Sequence, residues 1–81
     1  MEFDIEIKRE QKGKNLLILE KLANPCKLWS KGKIMRYALY HRWLKNEDDT
    51  TSVLGQDKTY WTKKEGLDFI KNGIFNSVNL F

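Results

Sequence analysis

Two side chains in this sequence have the chemistry of a nucleophile and a general base, the single cysteine Cys26 and the single histidine His41. A thiol beside an imidazolium is activated as a thiolate, so this pair would be the catalytic dyad of any thiol enzyme built on the chain. A simpler reading covers both residues: a small half-buried hydrophobe after Pro25, and a histidine on a strand surface. A structural zinc takes four Cys or His ligands, and this chain owns two such residues in all. Glu47-Asp48-Asp49 lacks the loop spacing and the glycine of a calcium-binding hand. The glycines form neither the dinucleotide fingerprint nor a phosphate loop. The expectation is a protein without metal or cofactor, and not an enzyme.

What remains is a chemistry of contact. Trp29, Tyr37, Tyr40 and Trp43 are interleaved with Lys27, Lys31, Lys33, Arg36, Arg42 and Lys45. Cations neutralise phosphates and release counterions, while flat rings stack on exposed bases, so nucleic-acid surfaces combine the two. Lys12-Gly13-Lys14 and Lys31-Gly32-Lys33 add bare backbone amides beside paired charges, a chemistry suited to phosphate oxygens and equally to exposed turns. The candidate binding residues are therefore Arg36, Tyr40 and Arg42, supported by Lys12, Lys14, Trp29, Lys31 and Lys33.

Charge is distributed unevenly along the chain. Residues 1–10 hold four acids and two bases (−2), and residues 11–45 hold nine bases against Glu20 alone (+8). Residues 46–57 hold Glu47, Asp48, Asp49 and Asp57 with no base (−4), and the remainder carries four bases and two acids (+2). Those four acids form an alternative binding turn, a phosphate substitute that could occupy a nucleic-acid-binding groove.

The elements that must position these groups follow from hydrophobic periodicity. Phe3, Ile5 and Ile7 alternate with charged residues, the period of a half-buried strand. Turn chemistry around Gly13 then precedes Leu16-Leu17-Ile18-Leu19, which reads as the return strand of a hairpin, with a short helix over 15–23 as the alternative. Wound as a helix, residues 33–45 leave no apolar stripe. As a strand, they put Met35, Tyr37, Leu39 and Trp43 on one face, with His41 among them, and Arg36, Ala38, Tyr40 and Arg42 on the other. The acidic segment 46–49 reads as a turn, with a short strand over 51–54 ending before Gly55. Thr62-Lys63-Lys64-Glu65 fits a capping box, and Asn72-Gly73 a helix stop, so a helix is predicted from about Lys63 to Asn72. Residues 74–81 are apolar enough for a last strand or a docked tail.

The 81 residues form one domain, 1–81, because a chain this short buries only about 60% of its unfolded surface in one modest core. The expected class is α+β: a small antiparallel sheet of three to five strands with one helix near the C-terminus packed on one face. A lone cysteine points to a reducing, cytoplasmic compartment. The acidic, alternating N-terminal residues do not read as an export signal, and no apolar run approaches the ~20 residues of a membrane span. With twelve lysines among fifteen bases and six asparagines, the composition leans toward AT-coded residues, as in many phages and mobile elements.

Residues 32–72 resemble the arm-site-binding domains of phage-type tyrosine recombinases. Thr62-Lys63-Lys64-Glu65-Gly66-Leu67 is similar to the start of their helix, and Arg36-Tyr37-Ala38-Leu39-Tyr40 to the strand before it. The segment 46–57 is acidic where that family's connecting strands are usually basic. The resemblance implies a sheet lying in a DNA major groove, with Arg36, Tyr40 and Arg42 contacting it.

The function expected is stoichiometric binding to nucleic acid, or to a nucleic-acid-handling protein complex, through the basic central strand. The alternative is a protein-binding inhibitor or adaptor, such as a phage antagonist of host polymerase, restriction or CRISPR effectors.

Overall fold

The computed structural model describes residues 3–28 and 32–72. Four strands follow in order, β1 (Ile5–Lys12), β2 (Asn15–Leu28), β3 (Lys33–Asn46) and β4 (Asp49–Trp61), and then one helix, α1 (Lys63–Asn72). The strands form a single antiparallel meander in chain order. This is the α+β architecture expected, with four strands and the helix on one face.

Both early turns rest on glycines in the left-handed region, Gly13 at φ 61° and Gly32 at φ 59°, where a Cβ would be strained. The helix alternative for 15–23 is overturned, because Leu16 to Leu19 are paired on both sides, with β1 and with β3. All four are essentially inaccessible, which explains why their run shows no alternation. Two apolar clusters result. Leu17, Leu19 and Leu39 meet Ile70 of α1, with Tyr37, Trp61, Leu67 and Phe69 packed around them. Leu16, Ile18 and Leu44 gather on the opposite face of the sheet, hereafter the far face, with Tyr40 against them.

The capping box starts α1 as predicted. The Glu65 amide donates to Thr62 Oγ1 at 3.2 Å, and Glu65 Oε1 accepts from the Thr62 hydroxyl at 2.8 Å and from its amide at 3.4 Å. The helix then lies very close to the sheet at Gly66, where a Cβ would stand 2.6 Å from Leu19 Cδ1.

Two strands run further than expected. β2 continues through Asn24-Pro25, accommodated by a bulge: pairing with β3 passes from Lys21–Tyr37 to Cys26–Met35, leaving extra residues on β2. There the Ala23 amide donates to Asp4 Oδ1 at 2.8 Å. β4 continues past Gly55 to Trp61, with Leu54 as an extra residue where pairing steps from Trp43–Gly55 to Leu44–Val53. The expected last strand or tail over 74–81 lies outside the described residues.

Candidate nucleic-acid interface

The alternation along β3 places its residues as the sequence predicted. Tyr37 and Leu39 join the cluster under α1, and Tyr40 joins the far-face cluster. Arg36 is exposed, and Tyr40 and Arg42 are half-buried.

The strand register brings two further residues to Tyr40 that sequence reasoning missed. Lys58 of β4 lies directly opposite Tyr40, and Tyr60 opposite Ala38. Lys58 Nζ sits 5.5 Å from the Tyr40 ring centroid and 5.1 Å from that of Tyr60. The Arg42 guanidinium carbon lies 5.7 Å from the Tyr40 ring, and Arg42 Nε donates to Gln56 Oε1 at 2.5 Å. The Lys58 ammonium is held above its ordinary pKa, first by hydrogen bonding with the Tyr60 hydroxyl and then, against some desolvation, by Tyr40. These partners are neutral. Among the described residues neither Arg42 nor Lys58 forms an ion pair, so both charges remain available to an external anion.

The signal for Lys58 and Tyr60 was present as a period of two in Gln56, Lys58 and Tyr60. Ending the predicted strand at Gly55 hid it. The Trp43 ring lies over that glycine, 3.5 Å from where a Cβ would be, an ordinary contact distance, so Gly55 continues the strand instead of ending it.

β1 borders the same face with charges that satisfy each other. Arg9 Nη2 donates to Glu6 Oε1 at 2.8 Å, and this bond holds the Glu6 carboxyl below the usual range, with the Arg42 charge contributing less.

The remaining candidates divide among other places. Lys33 is exposed near the β2–β3 turn, and Trp29 and Lys31 lie outside the described residues. Lys12 and Lys14 sit at the opposite end, beside the acidic turn. There the Gln11 side chain donates to Gly13 O at 2.9 Å and to Glu47 O at 2.7 Å, and the Leu44 amide donates to Lys14 O at 2.7 Å. One depression is lined by Lys14 and Lys45 together with Glu47, Asp48 and Asp49. The acid-rich and base-rich segments, separate in sequence, thus interleave in space. Asp57 does not belong with that turn: it lies opposite His41, about 25 Å further along β4.

Cys26 and His41 do not meet. Cys26 pairs with Met35, and His41 lies six residues further along the same strand, roughly 20 Å away. His41 instead stacks on Trp43 with ring centroids 4.3 Å apart and bonds Asn15 Oδ1 at 3.1 Å. Desolvation lowers its pKa below 6.5, and the nearby Asp57 carboxylate opposes this. No described helix is long and apolar enough to cross a membrane.

Comparison of the chain with protein-family models, with curated proteins and with solved structures gave no match.

Proposed function

We propose that this protein binds nucleic acid stoichiometrically, with the far-face cluster Tyr40, Arg42, Lys58 and Tyr60 as the contact and Arg36 extending it along β3. The observation that carries this reading is two cations held in place without an ion pair among the described residues, Arg42 by the Gln56 side chain and Lys58 by the rings of Tyr40 and Tyr60. Such cations are oriented without being neutralised. Each can displace a condensed counterion from a phosphate, and the tyrosine rings beneath them hold the cations by cation–π attraction.

The test is fluorescence anisotropy with labelled oligonucleotides from about 50 to 200 mM salt, a range over which several phosphate contacts weaken binding by orders of magnitude. An Arg42→Ala/Lys58→Ala double variant is expected to bind more weakly and to flatten the log–log salt slope by about 1.8 on duplex DNA, about 0.9 for each phosphate no longer neutralised. Binding insensitive to salt overturns the reading. A protein partner retained after nuclease treatment, with no oligonucleotide binding, transfers the assignment to the protein-antagonist alternative.

A further inference from the structure

Residues directly opposite one another in antiparallel strands share a face, so the far face is crossed by straight rows of side chains. From β1 to β4 one row runs Arg9, Ile18, Tyr40, Lys58. On one side of it lies Glu6, Glu20, Ala38, Tyr60, and on the other Gln11, Leu16, Arg42, Gln56.

Charge divides this face between the strands. Glu6 and Glu20 stand on β1 and β2, and the one cation of that half in these rows, Arg9, is paired with Glu6 at 2.8 Å. Arg42 and Lys58 stand on β3 and β4, and alternation along β3 adds Arg36 to the same face. Between Arg36 and Arg42 neither β3 nor β4 turns an acid toward this side: Asp57 lies opposite His41, on the other face. A polyanion is therefore repelled from the β1–β2 half and attracted to the β3–β4 half. Its path runs along these two strands, over about 20 Å from Arg36 to Arg42 at ~3.3 Å per residue.

The rings on that path are already covered. Tyr40 packs against Leu16, Ile18 and Leu44 below. Above it stand Lys58 Nζ, 5.5 Å from the ring centroid, and the Arg42 guanidinium carbon, 5.7 Å away. The same ammonium lies 5.1 Å from the Tyr60 centroid. A nucleobase stacks only on an open ring face, and here a cation occupies that position, held by the ring quadrupole.

Resting on the nucleic-acid reading above, we infer that the far face grips a phosphodiester backbone along β3 and β4, through Arg36, Lys58 and Arg42, without reading bases. Tyr40 and Tyr60 are positioning residues for the two cations. The ligand is a phosphodiester chain of any sequence, presented by a single strand or by a duplex.

The experiment uses fluorescence anisotropy with three labelled probes of equal length: a mixed-sequence DNA strand, an abasic phosphodiester chain, and the duplex of that strand. The wild-type protein is expected to bind the abasic chain within about twofold of the single strand, and the duplex at least as tightly, whereas base stacking would favour the single strand over the abasic chain by about fivefold or more. Tyr60→Leu, checked for an unchanged melting temperature, should weaken the base-bearing and abasic chains by the same factor. It should also flatten the log–log salt slope on the single strand by about 0.7, the value of one phosphate contact, as Lys58→Ala does. An abasic chain or a duplex bound fivefold more weakly than the single strand overturns the inference, as does a Tyr60→Leu loss confined to the base-bearing chain. In those cases the nucleic-acid reading stands, with bases stacked on the far face. Weaker binding by Tyr60→Leu at an unchanged salt slope overturns the positioning role. Absence of binding to all three probes removes both readings.

Discussion

The two ends of the sheet are built from the same kinds of residue and behave as opposites. At one end, the β1–β2 and β3–β4 turns lie side by side, fastened by Gln11 and by the Leu44 amide, with Lys14 and Lys45 around Glu47, Asp48 and Asp49. At the other end, beyond the β2 bulge, the described pairs Cys26–Met35, Lys27–Ile34 and Leu28–Lys33 form a two-stranded ribbon that carries Lys27 and Lys33. The lesson is that charge counted along a chain is not charge presented on a surface. A meander brings alternate turns together, so the acidic 46–49 segment is shared with Lys14 and Lys45, whereas among the described residues Lys33, Arg36, Arg42 and Lys58 form no ion pair.

The comparison is broken most forcefully through the body that holds both ends. Leu19 is fully buried, faces α1 and lies against Gly66. Leu19→Ala should destabilise by about 2–5 kcal/mol, the cost of a cavity in a site that collapses only partly. Ile34→Ala on the ribbon should stay within about 0.5 kcal/mol, because that side chain is already in water. Urea denaturation followed by tryptophan fluorescence compares the two. Equal losses would show the ribbon to be an integral part of the core.

Next in size is Gly66→Ala. Alanine favours the helix by about 1 kcal/mol over glycine. The new methyl, however, would stand 2.6 Å from Cδ1 of the fully buried Leu19 side chain, which must shift within the core to admit it. Overpacking of this kind costs about 1–3 kcal/mol, so the net expectation is destabilisation by about 1 kcal/mol, read from the same urea curves. A stabilised variant would mean that α1 can lift from the sheet at little cost.

The helix was legible in advance because its cap is local: Thr62 and Glu65 are three residues apart, and their bonds need nothing from the rest of the fold. The two faces of β3 were legible for the same reason, since a period of two needs no partner strand. What the sequence concealed depends on register. Lys58 and Tyr60 become site residues only when β4 is aligned with β3, and Gly55 reads as the end of that strand until its pairing with Trp43 is known. The ribbon was hidden differently, because Asn24-Pro25 reads as a break and the structure absorbs it as a bulge within a continuing strand. Asp57 was grouped with the acidic turn by closeness in sequence, which a strand converts into distance.

A smaller effect sharpens the contrast at the turn end. Gln11 joins two turns with one amide group, donating to Gly13 O and Glu47 O at an exposed position. Gln11→Ala should cost about 0.5–1 kcal/mol, the net worth of such bonds when water can replace them. Amide hydrogen exchange should report faster exchange in the two turns and an unchanged rate at Ile34 and Met35. Acceleration at the ribbon as well would show that the two ends are coupled.

The smallest effect is a pH dependence confined to the turn half of the sheet, where His41 lies under Trp43 and beside Asn15, with Asp57 opposite. Desolvation depresses the folded-state pKa of His41 below 6.5, so between that value and 6.5 the unfolded chain binds the extra proton. Stability therefore rises with pH through this window and is lost as pH falls below 6.5, the Asp57 charge limiting the size of the effect. The melting temperature of the wild-type protein should decline from pH 7 toward pH 5, and His41→Gln should remove most of that slope while leaving the carboxylate-driven decline at lower pH. An unchanged slope in the variant would assign the decline to carboxylates instead. Glu6, held below the usual range by Arg9 on the far face, and Asp49, held there by Thr51 at the turn, lose their contributions only at still lower pH. Through the histidine window, then, acid should loosen the turn half of the sheet, where His41 lies, before it touches the β2–β3 end.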